Sequence, residues 1–222
     1  MGGGLRCVAL LFLAACGSTA NQGRDLARER DLYTRTGFAA QLPGQLTAFV
    51  DSVADERGAL PDVVEGIYRP QYLGDGVYAR PVPHMVRELL LQELEDSHLF
   101  KAIVATPEEA DVVVQPSLAV FYASIEERVA GRRTRAKSGL KLRVFGPKDA
   151  TGARPKLFEE AYESTEIQRD GLGFTNSLLS DQGMTLKMAM TRMLRDLDGR
   201  RVGREAAAVE ASTSKPAQNP AR

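Results

Sequence analysis

Three groups of residues in this chain could do chemistry. Cys16 closes the string Leu13-Ala14-Ala15-Cys16, at the end of a short apolar run that begins near Val8, behind Arg6. A cationic start, an apolar segment and a small-residue site ending on a thiol read as a secretion signal with a point for lipid attachment. The second group is Arg128, Arg132, Arg133, Arg135 and Lys137, crowded into one short stretch. Cations this close repel one another and favour an anionic partner such as phosphate-bearing lipid headgroups. The plainer alternative is a solvated hairpin tip, partly neutralised by Glu126 and Glu127. The third group, Glu159, Glu160, Glu163 and Glu166, could supply an acid/base pair, although such runs usually decorate a solvated strand or hairpin.

Other chemistries find no residues to carry them. His84 and His98 are the two histidines, with no His-Glu-x-x-His pair and no Cys/His cluster for a metal. There is no Gly-x-Ser-x-Gly elbow and no phosphate-binding Gly-x-x-x-x-Gly-Lys-Ser/Thr loop. Gly171-Leu172-Gly173 lacks the third glycine and the strand before it that a dinucleotide site requires. No metal or cofactor is therefore expected, and the chain reads as non-enzymatic. Arg6 stands where a myristoylation signal needs Ser or Thr. The apolar run is far shorter than the ~20 residues of a membrane-spanning helix.

The 13–16 string resembles the lipobox of bacterial lipoproteins, in which signal peptidase II cuts before the cysteine and the thiol takes a diacylglycerol. The resemblance implies lipidation of Cys16 and a mature protein held on a membrane by acyl chains. Cys7 would leave with the signal, so the mature protein would hold no disulfide and rely on its core. Gly17 follows the cysteine where inner-membrane retention in enteric bacteria looks for Asp, so the resemblance favours the outer membrane, facing the periplasm. The 29 cations and 29 carboxylates balance, which gives no support to a nucleic-acid partner. Trp is absent and aromatics make up 6%, which argues against an aromatic sugar platform.

The elements that must position these groups follow from periodicity. Residues 1–15 read as signal peptide and 16–40 as a lipidated tether, with a helical turn near 26–33. A single domain is expected over 41–200 and a disordered tail over 201–222, which is too poor in large apolar residues to pack. Leu42, Leu46, Phe49, Val50 and Val53 predict a helix over 43–57, and Val86, Leu89, Leu90 and Leu94 another over 83–96. A third is predicted over 181–198 from Leu186, Ala189, Met190, Met193, Leu194 and Leu197, with Ser180 or Asp181 as its cap. Strands are predicted over 63–73, 99–104, 111–127 with a bend at Pro116, 139–145 and 156–167. The basic residues fall in a loop over 128–138, and 168–180 is a second loop. Tyr68, Tyr72 and Tyr78 read as half-buried strand residues, or alternatively as a groove lining.

Long strands joined by short turns make an antiparallel meander, and striped helices must bury their faces on one side of it. The expected fold is α+β, a two-layer sandwich of a mainly antiparallel sheet with helices packed on one face. Leu90-x-x-x-Leu94-x-x-Ser97-x-Leu99-Phe100-x-x-Ile103-Val104, followed by Ala110-Asp111-Val112-Val113-Val114, resembles envelope lipoproteins of the ABC-type transport auxiliary group over roughly residues 64–198. The lipopolysaccharide-assembly and curli-secretion lipoproteins are similar in helix–strand–strand order. The resemblance implies a lipid-anchored, non-catalytic component of an envelope transport or assembly complex. Such a component would hold a partner protein or an anionic lipid through a sheet edge or the basic loop. An anchored envelope hydrolase and a structural cell-envelope lipoprotein are the alternatives.

Overall fold

The computed structural model of this chain describes residues 23–60, 69–129, 131–171 and 175–204. The leader, Cys16, most of the 63–73 segment with Tyr68, and the tail past Arg204 lie outside the described residues.

The sheet is built on one long hairpin. Strands β5 (Val112–Arg128) and β6 (Gly131–Phe145) pair antiparallel from Val113↔Phe145 to Arg128↔Gly131. Along the other edge of β6 run β7 (Lys156–Glu163) and then β8 (Ile167–Gly171), both antiparallel to it. The other edge of β5 takes β1 (Thr47–Val50) and β2 (Ala54–Asp55) in parallel and β3 (Gln71–Tyr72) antiparallel. Strand β4 (Ala102–Ile103) lies parallel outside β1.

On β6, Leu140, Leu142 and Val144 are buried while Lys141 and Arg143 are part-exposed, the alternation of a sheet with one solvated face. Helices α1 (Val82–Ser97) and α2 (Thr175–Gly199) cover the apolar face. Met85, Leu89 and Leu94 of α1 and Leu186, Met190 and Leu194 of α2 join the sheet residues in one core. The fold is the expected two-layer α+β sandwich, with its helices on one face.

Strand β5 keeps its apolar side inward by changing phase once. Leu118 pairs with Leu140, but Val120 pairs with Gly139, so Ala119 is the extra residue of a bulge. The core positions accordingly switch from Val112, Val114 and Leu118 to Phe121 and Ala123. A β-carbon at Gly139 would crowd Val120 and Glu163, which is why the residue opposite the bulge is glycine. The break in β5 is thus at the bulge and not at Pro116, which pairs in register with Leu142.

Several sequence expectations are corrected. Residues 43–57 are strands β1 and β2 instead of a helix, with Ala48 and Val50 buried at a spacing of two. The Asp111 carboxylate accepts the Thr47 N–H (2.8 Å) and hydroxyl (2.9 Å), tying this segment to β5, and a cross-strand partner outweighs a local stripe. The 156–167 strand divides after Glu163, where Ser164 and Ser138 exchange hydrogen bonds (N–H to carbonyl 2.8 Å, N–H to hydroxyl 3.1 Å). The 168–180 loop is replaced by β8 and by an α2 that starts at Thr175. Asp181, expected as a cap, lies inside α2, buried and forked to Arg169 at 2.7–3.1 Å.

A further correction concerns the tether. From Gly23 on, the segment packs as a strap across the helix layer, with Leu26, Leu32 and Tyr33 buried. Its turns close locally, Asp25 carbonyl accepting from Glu29 N–H (2.9 Å) and Glu29 carbonyl from Tyr33 N–H (3.1 Å), as the expected helical turn near 26–33 requires. The buried Glu93 carboxylate of α1 receives the Tyr33 hydroxyl (3.0 Å), the Thr36 N–H (2.9 Å) and the Thr36 hydroxyl. At the other end, Val202 is buried, and the Gly203 carbonyl accepts from Gln45 N–H (2.8 Å) and Leu46 N–H (2.9 Å). Packed structure therefore extends from Gly23 to Arg204, wider than the expected 41–200.

Candidate functional site

The five cations of the basic stretch are strand residues and not a loop. Arg128 ends β5, and Arg132, Arg133, Arg135 and Lys137 lie on β6. Register then decides what each meets. Arg128 pairs with Glu126 (2.7 Å), Arg132 with Glu127 (2.7 Å), Arg133 with Asp170 of β8 (2.7 Å) and Lys137 with Glu163 of β7 (2.6 Å). Arg135 lies opposite Ser124 on β5 and Gln168 on β8 and is part-buried. The Arg133 hydrogen bond holds the Asp170 carboxyl below the usual carboxylate range. Four of the five expected cations thus have a carboxylate partner, and what protrudes at the hairpin turn is Val129.

This changes what a mutation should do. Viewed as an unpacked loop, the stretch predicts that Ser at 132, 133 and 135 leaves stability almost unchanged and weakens binding to acidic vesicles. With the pairs in place, the same triple substitution strips Glu127 and Asp170 of their partners. The thermal midpoint should fall by roughly 2–6 °C, since one exposed pair alone contributes little but the set is linked through three strands. A melting curve superimposable on wild type would show that the pairs do not hold the hairpin.

Of the carboxylate run, Glu159, Glu160 and Glu163 lie on β7, and Glu166 lies between β7 and β8. Glu159 is gripped by Lys141 (2.6 Å), Lys156 (3.2 Å) and Arg143 (3.3 Å), which together bring its pKa down to about 2. A carboxyl held that low is a poor proton donor near neutrality. Glu160 faces Arg200 at 3.4 Å, and Glu166 accepts from the Tyr122 hydroxyl (2.5 Å). Cations thus hold Glu159, Glu160 and Glu163, and a phenol holds Glu166. Tyr72 and Tyr78 pack separately, edge-on to Tyr122 at 5.8 Å and tilted on Phe121 at 6.0 Å. Among the described residues no three His, Cys, Asp or Glu side chains are grouped to hold a metal, and no helix is long and apolar enough to cross a membrane.

The sequence reading passed over one feature, a groove where the strap crosses α2. Its cavity volume is about 590 Å³, and Leu32, Met184, Lys187, Met188, Arg192 and Arg195 line it. The signal was present in α2 as Met184, Met188 and three cations at helical spacing beside the core stripe. It reads as a solvated flank until the strap supplies a second wall. That wall needs Gly183, because a β-carbon there would overlap the Leu32 carbonyl oxygen.

No protein-family model and no curated protein matches the chain. Among solved structures, it is similar to a Xanthomonas campestris protein of family DUF330, at 10% identity and TM-score 0.42 over 73% of this chain and 95% of that one. A Helicobacter pylori homologue, provisionally described as a neuraminyllactose-binding hemagglutinin, gives 11% identity and TM-score 0.43 over 74% and 89%. A Caulobacter crescentus protein provisionally described as a lipoprotein gives 15% identity and TM-score 0.35 over 67% and 91%. Likenesses this distant carry no functional content.

Proposed function

We propose that this chain is a lipid-anchored, non-catalytic component of a bacterial envelope transport or assembly complex. It presents its domain at the membrane surface to a partner protein or to anionic lipid. The observation that carries the reading is the short distance between the lipidation site and the folded domain. Gly23 follows Cys16 by seven positions and is already seated against Tyr78 and Ala79. A fully extended link of that length spans roughly 25 Å, so an acylated Cys16 keeps the domain on the membrane surface. The expected tether of residues 16–40 would have let it range further. Placement on the outer membrane, facing the periplasm, rests on Gly17 alone. The division of the β7 carboxylates among cations supports a binding role over the hydrolytic alternative.

Cys16→Ser tests the anchor. The wild-type N-terminal peptide should carry acyl chains by mass spectrometry, each buried CH₂ contributing about 0.8 kcal/mol to membrane binding. The variant should lack them and leave the detergent-extractable membrane fraction. An unmodified wild-type peptide would overturn the reading.

A further inference from the structure

The groove on α2 combines apolar and cationic side chains on one helix flank. Its apolar lining is Leu32, Met184 and Met188, with Met184 47% exposed, one of few large apolar side chains so placed among the described residues. Methionine thioethers are soft and adaptable, suited to a flexible alkyl chain. Lys187 stands between the two methionines, and Arg192 and Arg195 stand toward the helix C-terminus. From Met184 to Arg195 the helix rises roughly 16 Å.

The cations here are treated differently from several elsewhere in the fold. Lys137, Lys141, Arg169 and Arg200 each meet a carboxylate within 2.6–2.7 Å. Lys187 and Arg195 have no ion-pair partner among the described residues. Arg192 donates to the Glu163 carbonyl, which fixes it at the groove wall. Asp31, the carboxylate of the lining, is already taken by Arg24 at 2.6 Å. Like charges gathered along one helix flank repel. Lys187 and Arg195 contribute no ion pair to the described fold, and an anion between them would relieve the repulsion.

We propose that this groove binds an anionic single-chain amphiphile. Its alkyl chain lies along Leu32, Met184 and Met188, and its carboxylate or phosphate head between Lys187 and Arg195. The volume falls within the range of small-molecule sites. This names the anionic lipid of the reading above, but it does not depend on acylation of Cys16.

The chain contains no tryptophan, so Thr34→Trp, at an exposed position on the groove wall, makes a sole fluorescent reporter. The full chain carrying it together with Cys16→Ser would be titrated with dodecanoate, dodecyl phosphate and neutral dodecanol. A saturable blue shift is expected with an anionic probe, at an affinity about tenfold or more above that for dodecanol. Response to both anions defines a general anionic head, and response to one assigns the source. Changing Lys187 and Arg195 to Ser in this background should cost the anion about tenfold, roughly two exposed ion-pair contributions, and leave dodecanol unchanged. Met184→Glu should abolish the response. No saturable shift, equal affinity for dodecanol, or an anion affinity indifferent to the two Ser changes would each overturn the proposal.

Discussion

Leu194→Asp should leave no cooperatively folded domain, while a chain ending after Arg204 should melt within about 1 °C of the full-length protein. Leu194 is fully buried in the face that α2 turns to the sheet, beside the equally buried Met190 and Leu197. Losing a buried leucine side chain typically costs ~2–5 kcal/mol. Placing a carboxylate in the same space adds a desolvation cost with no cation there to offset it. Against a typical domain stability of about 5–15 kcal/mol, the two together remove the native state. The position of the cut is set by structure. Ending the chain after Arg200 instead would remove buried Val202 and the Gly203 carbonyl that accepts from Gln45 and Leu46, so that shorter chain should be clearly destabilised. Thermal melts followed by circular dichroism distinguish the three. If Leu194→Asp melts like wild type, α2 does not pack on the sheet and its stripe must face another molecule.

Gly183→Ala should destabilise the protein, against the usual sign for glycine in a helix. In an exposed helix interior, alanine is worth about 1 kcal/mol more than glycine. At 183 the added carbon would overlap the Leu32 carbonyl oxygen, so strap or helix must move. Lifting the strap exposes Leu32 alone at a cost of roughly 1.5–3 kcal/mol, with Leu26 and Tyr33 at risk beyond it. It also draws the Tyr33 and Thr36 donors away from buried Glu93. Gly199→Ala is the matched control, because nothing lies within 4 Å of its added carbon. The expected pattern is a lowered midpoint with faster hydrogen exchange over residues 23–36 for Gly183→Ala, and neither change for Gly199→Ala. Stabilisation by both substitutions would mean that the strap does not seat on α2.

The two substitutions divide what sequence and fold each decide. The α1 and α2 stripes were legible because a 3.6-residue period sustained over three or more turns has one physical meaning, a helix with a face to bury. The clean alternation of 139–145 was legible for the same reason at a period of two, and the two periods together dictate helices layered on one side of a sheet. Cys16, too, is a matter of sequence alone, since its reading depends on a short string and not on anything folded around it. Residues 43–57 were misread because Leu46, Phe49, Val50 and Val53 satisfy a helical stripe about as well as a strand, and only the parallel partner β5 and the Asp111 hydrogen bonds choose between them. The strap was misread because Leu26, Leu32 and Tyr33 are too few to stand out among charges, yet each finds a buried place prepared by distant residues. The basic stretch shows the difference most sharply. Its five cations are plain in the sequence, but whether they meet a ligand or a carboxylate is a question of register. The register sets Arg132 opposite Glu127 and Arg133 opposite Asp170, which no local pattern contains. Lys187 and Arg195 of α2 are likewise plain in the sequence, but tertiary structure alone brings a second wall to them.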